Sequence, residues 1–481
     1  MSSIQASKFN TLQSIQILSS LSDDISSYYT PEPIPVWRQR SADPRLNSRV
    51  IPELLDALIF FLRTSPNDGK LFAMTLSISS YEMVVTLAAN TTAHAACSDA
   101  PSPQTVLETI WNYMAKMAAT ARAHDVEAIE AGLYVRFAAY LLDRYSVILR
   151  HRYEKRCNEY ERFRKAYHEL DMTSLPISAR AKDHLEKVHG VYTATKTFCE
   201  VLASTTGPVA EKSVQVFTVT LIALSKHFGK PNILQEEEIT LFLKAAGIQD
   251  VNFDVVHYAK KLCSPVVNIT TIMSISRSPK FRDYFKLAFR THVIANTTPT
   301  HIVNKPILPE GWYDEATIAA FIREAHTTQG YRTTGIVEDA ITALARDAAQ
   351  NLRMGGPRDI SQTHPECLLI QYHHNNPHIV THPHIAVSKP CCFQCSVFLD
   401  AYNGHVEFSD HMLFSIKVGK CDCAYPSFLP DFAEADTSLI DHAMRCSIHR
   451  IVCAILADRM LTRSSEPNLK ERLNWFGGYS T

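Results

Sequence analysis

A chain of 481 residues is long enough for two or three cores, and 46% hydrophobic with 20% charged residues is the balance of a globular protein rather than a disordered one. With 48 Lys and Arg against 49 Asp and Glu, no global basic surface advertises nucleic acid, and no acidic tail is visible. Eight of the 12 cysteines fall between Cys367 and Cys453 beside histidines, and the start lacks a charged region followed by an apolar run; this reads as reduced thiols and a metal site in an intracellular protein, not a secreted disulfide framework.

Residues 1–49, Ser-rich and then carrying Pro31, Pro33 and Pro35, read as a flexible arm. The most apolar run, from Leu71 to Cys97, is interrupted by Ser77, Ser79, Ser80 and Glu82 and predicts no membrane span. Region 50–295 reads as all-helical, with apolar residues at three- and four-residue spacing over 51–63, 104–122, 184–203, 214–228 and 239–246. Segment 126–170 predicts one very long helix, whose second half carries the aromatic stripe Tyr153, Tyr160, Phe163, Tyr167. Seven Lys and Arg between Arg150 and Asp171 could form a nucleic-acid surface, but five acids among them favour a solvated helix packed through its stripe.

Pro- and Thr-rich residues after Asn296 mark a linker, which with a short helix fills 296–329. Region 330–465 mixes element types: helices over 336–352, 367–372, 391–402 (stopped by Asn403-Gly404) and 438–460, and strands over 385–387 and 408–418. Residues 466–481 read as a tail. The expected fold is thus an all-helical region followed by a three-layer α/β/α domain.

That second domain carries the chemistry. His364-Pro365-Glu366 is followed by Cys392-Phe393-Gln394-Cys395. One imidazole and two thiols would hold Zn²⁺ with its fourth position open, the arrangement of a catalytic rather than a structural site. A zinc-bound water has a pKa of about 7, and Glu366, two residues from His364, is placed to shuttle its protons. Pro365 and Pro390 suit the first turns of helices, whose N-termini favour thiolates. Thr363-x-x-Glu366 also fits a capping box, so Glu366 has a purely structural alternative. Cys391 is a possible competing ligand. His373, His374, His378, His382 and His384 read as a solvated loop with some capacity for metal or substrate, and Cys367 as a core residue.

His-x-Glu together with Ser388-Lys389-Pro390-Cys391-Cys392-Phe393-Gln394-Cys395 and the apolar helix after it resembles the OTT-type deaminase family, found largely in fungi, a branch of the cytidine-deaminase-like superfamily. Gly419-Lys420 and the Tyr425–Pro430 stretch extend the resemblance, which covers about 335–460. It implies a sheet flanked by helices, zinc between two helix starts, and a deaminase of nucleotides or nucleic acid. His364, Cys392 and Cys395 then correspond to the zinc ligands, Glu366 to the catalytic acid–base, and Ser388 and Lys389 to substrate contacts. Cys391 departs from the family pattern, which commonly has proline in that place. The competing expectation is a catalytically silent zinc-binding module whose helical region docks a protein partner.

Overall fold

The structure is a computed structural model that describes residues 9–22, 28–29, 50–63, 71–90, 101–120, 126–170, 175–204, 210–226, 233–248, 254–294, 314–355, 363–407, 409, 411–416, 430 and 432–463. In chain order the elements are α1 (Thr11–Leu21), α2 (Val50–Phe60), β1 (Phe72–Ile78), β2 (Glu82–Ala89), α3 (Pro103–Thr120), α4 (Val126–Glu154), α5 (Cys157–Glu169), α6 (Ala179–Ser204), α7 (Glu211–Ser225), α8 (Ile233–Ala245) and α9 (Val255–Arg277). A short 3₁₀ turn then leads to β3 (Ala288–Ile294), α10 (Glu315–Thr328), α11 (Gly335–Gly355), α12 (Pro365–Asn375), β4 (His384–Val387), α13 (Phe393–Val406), β5 (Ser415–Ile416) and α14 (Glu434–Arg463).

The all-helical reading of 50–295 is corrected here, because three of the five strands lie within it. The sheet runs β3-β2-β1-β4-β5, with β1 antiparallel to both β2 and β4, β2 parallel to β3, and β4 parallel to β5. The run after Leu71 therefore holds a hairpin, β1 and β2 joined by a short turn. Along β1, Phe72, Met74, Leu76 and Ile78 point one way, Ala73, Thr75 and Ser77 the other, and all seven are buried. The period-two pattern of a strand is therefore present, with small or hydroxyl side chains on one face, and that face is covered as well as the large-residue one. Ser79 closes the turn: its amide donates to the Glu82 carbonyl at 2.9 Å and its hydroxyl accepts from the Glu82 amide at 3.1 Å.

The sheet separates two cores. Its large-residue face, extended on β2 by Met83, Val85 and Leu87, packs on α2 and the helices α3–α9. On its other face Ala73, Ala88 and Ile385 join α1 and α10–α14. Small side chains on that face let α12 lie close over β1 and β2. The helical block and the motif-bearing region thus share one sheet: Trp111 of α3 stacks on Phe289 of β3 with ring centroids 4.6 Å apart.

Other expectations shift in detail. Part of the supposed arm is α1, capped by a reciprocal Asn10–Gln13 box, buried against α11 and α14, and tied by the Thr11 hydroxyl to the Asp441 carboxylate. The long helix breaks at Lys155–Arg156, where Arg156 donates to Glu159 and to the Tyr258 hydroxyl. The aromatic stripe does pack inward: Tyr160 and Phe163 are buried, with Tyr160 against Tyr192 of α6. The helix expected to stop at Asn403-Gly404 continues to Val406, with Asn403 bridging both backbone groups of Phe414. Of the expected strand over 408–418, the described residues show Ser415–Ile416 as strand, with 408, 410, 417 and 418 outside the described residues, as is the 296–309 linker.

Candidate metal centre

Both halves of the motif sit at helix starts. His364 is the N-cap of α12, with Pro365 in the first turn, and Cys392 is the N-cap of α13. Neither side chain caps its own helix. Extended backbone at each cap turns the two side chains toward each other instead, and Cys395 joins them from the first turn of α13. The capping-box alternative for Glu366 needs Thr363 as N-cap, whereas His364 holds that position.

His364 Nδ1 lies 3.0 Å from Cys395 Sγ and 3.4 Å from Cys392 Sγ, and the two sulfurs are 3.4 Å apart. A tetrahedral zinc with arms of about 2.0–2.3 Å needs donor–donor edges of roughly 3.5–3.8 Å, so an opening of a few tenths of an ångström admits the ion. All three donors are buried, and they form a group of one imidazole and two thiols within 4.8 Å of one another. The residues fit the ion.

Glu366 Oε1 is 4.0 Å from His364 Nδ1, and the carboxyl is buried. It belongs to a second group with Cys391 and Cys395, and Cys391 is not in the group of His364 and Cys392. Cys367, one helical turn after His364, donates to Cys395 Sγ at 3.6 Å. The expected core cysteine therefore touches the centre as well. Its three-residue spacing from His364 was the available sign, since residues so spaced share a helix face.

Electrostatics follow from burial without a cation. Burial alone would lower the His364 pKa, but the hydrogen bond and charge of Cys392, helped by Glu366, lift it to about 9. Cys392 is held far below the usual thiol range by its hydrogen bonds with Cys395 and His364. Burial pushes Cys395 and Glu366 up, and Cys391, despite its hydrogen bond with Cys395, is also raised. Both directions favour the deprotonated Cys392 sulfur, the form in which a thiol ligates a metal ion.

Other candidate residues are placed away from the donors. The Ser388 hydroxyl accepts from the Phe72 amide at 2.9 Å while its own amide donates back to Phe72, so it extends the pairing of β4 with β1. Lys389 is exposed beside it. Three of the five histidines expected in a solvated loop are buried: His373, 2.9 Å from Thr75 Oγ1; His384, 2.9 Å from Asp56 Oδ1; and His382. None belongs to a group of potential metal ligands among the described residues. Cys421, Cys423 and 419–429 lie outside the described residues. A groove of about 1200 Å³ lined by Glu82, Arg290, His292, Tyr372 and His378 opens at the far end of α12, some 12 Å along the helix from His364 at 1.5 Å per residue.

Residues 363–427 match the OTT_1508_deam-like deaminase family model. The match begins just before His364 and includes Glu366, Cys367, Ser388, Lys389 and all three cysteines of the Cys391–Cys395 stretch. It covers the C-terminal part of the chain only and is shorter than the 335–460 expected. No curated protein and no solved structure matches the chain. Among the described residues, no helix is long and apolar enough to cross a membrane.

Proposed function

We propose that the chain is a zinc-dependent hydrolytic deaminase acting on the amino-bearing ring of a nucleobase, in a nucleotide or in nucleic acid. The observation that carries this reading is the convergence of His364, Cys392 and Cys395 from two helix N-termini, with the Glu366 carboxyl beside them. Bound there, zinc supplies Lewis acidity and a water acidic enough to act near neutral pH. His364, Cys392 and Cys395 hold the ion, and the positive ends of α12 and α13 help keep the sulfurs anionic. Glu366 would carry the attacking water's first proton to the ring nitrogen and then the added hydroxyl's proton to the amine, which leaves as ammonia as the ring carbonyl forms. Its burial excludes bulk water, and its raised pKa gives it the proton affinity that donation requires. Lys389, exposed at the end of β4, is the candidate contact for a substrate phosphate.

The experiment is zinc per chain in wild type and Cys392→Ser, followed by ammonia release from bases, nucleotides and oligonucleotides. One zinc in wild type and none in the variant is expected; a wild type without zinc under reducing, chelator-free conditions overturns the reading. A silent zinc-binding docking module is the second reading. It is favoured by the Cys367 thiol against Cys395 and by Val216 and Val219, 60% and 61% exposed on α7. Four protein donors on the ion, seen by X-ray absorption, would support it.

A further inference from the structure

We propose that Glu366, Cys391 and Cys395 form a second metal-binding set, and that the chain takes up a second thiophilic divalent cation bridged to the first through Cys395. The proposal rests on the zinc reading for the first ion only. The two sets are {His364, Cys392, Cys395} and {Glu366, Cys391, Cys395}, each with donor atoms within 4.8 Å of one another and each wholly buried. Cys395 is common to both, whereas Cys391 and Cys392, adjacent in the chain, belong to different sets. Cys392 is the N-cap of α13 and Cys391 lies just outside the helix, and the two adjacent cysteines fall in different sets.

Charge and chemistry favour the second ion. One divalent cation balances the thiolates of Cys392 and Cys395. It leaves a carboxyl and a further thiol buried against the same sulfur, at 6% and 1% exposure. A second divalent cation balances these two, so the filled cluster carries no net buried charge. A thiolate has lone pairs enough to bridge two ions, and sulfur-rich sets select zinc and softer ions over magnesium or calcium. Cys367, 3.6 Å from Cys395, adds another sulfur beside the shared one. The consequence is inhibition by excess metal: a Glu366 carboxylate that ligates the second ion no longer moves protons.

The test is a titration of reduced, chelator-stripped full-length protein with Cd²⁺, followed by thiolate-to-metal absorption and by native mass spectrometry. Wild type is expected to bind one equivalent more than Cys391→Ser, the lost equivalent being the weaker of the two that wild type binds. Glu366→Gln, on the other element of the set, is expected to weaken that same equivalent at least tenfold and leave the tighter one intact. Cys391→Ala serves if the serine variant fails to give the wild-type circular dichroism spectrum. Equal stoichiometry in wild type and the Cys391 variants overturns the proposal. The zinc reading is scored separately by the tight equivalent, whose retention in Cys392→Ser would overturn that reading alone.

Discussion

His364 Nδ1 and Cys395 Sγ, 31 residues apart in the chain, lie 3.0 Å from each other because α12 and α13 begin at the same point under the sheet. Nothing else in the described structure brings a ring nitrogen so close to two sulfurs. Cys392→Ser and Cys395→Ser are therefore expected to lose the metal, and Cys367→Ser to keep it. Metal analysis of the purified variants decides; zinc retained in Cys395→Ser would remove the sulfur common to both ligand groups from any role.

Glu366→Ala is expected to retain zinc while ammonia release falls about 10²- to 10⁴-fold, the usual contribution of a positioned acid–base. Metal content and rate must be measured on the same preparation. A variant with wild-type rate would sink the proton-shuttle role, whatever the metal content.

Stability should fall as pH drops from about 6.5 toward 4. Burial pushes His373 and His382 down to about 4 in the folded chain, against an unfolded value near 6.5. Between those values the unfolded state binds more protons than the folded one, so stability is full above pH 6.5 and is lost as pH falls through the window. The loss is of order 3 kcal/mol per histidine. Denaturant melts of wild type and His373→Gln at pH 7.5 and 5 give the check: the variant should lose less on acidification, and an equal loss would contradict the assignment.

Trp111→Ala is expected to destabilise the whole chain by about 3–5 kcal/mol, the usual cost of removing a buried Trp side chain. Trp111 joins α3 to the sheet through Phe289 and also contacts Phe285. If the helical block and the sheet are one cooperative unit, tryptophan fluorescence and far-ultraviolet circular dichroism of wild type will report a single transition. In the variant, the metal site should be lost at the same shifted midpoint. A metal centre that outlasts the helical block would show that the two fold apart.

Local sequence singled out the three candidate metal donors that the fold brings together. A histidine and a CxxC pair at helix starts can be recognised without the fold, because proline and helix-end chemistry act within a few residues. It also determined most helices, since their apolar period is local, and the inward packing of Tyr160 and Phe163. Tertiary structure decided the sheet. Phe72–Ile78 pairs with Glu82–Ala89 locally, but both its faces are buried under helices, and β3 is recruited to β2 across nearly 200 residues of chain. Only the fold could show that Ala73, Thr75 and Ser77 make the shallow face on which α12 rests, or that Ser388 is held by Phe72. The division of adjacent Cys391 and Cys392 between two ligand sets is also tertiary: spacing along the chain places both near Cys395, and only the packing of α12 against α13 groups one with His364 and the other with Glu366.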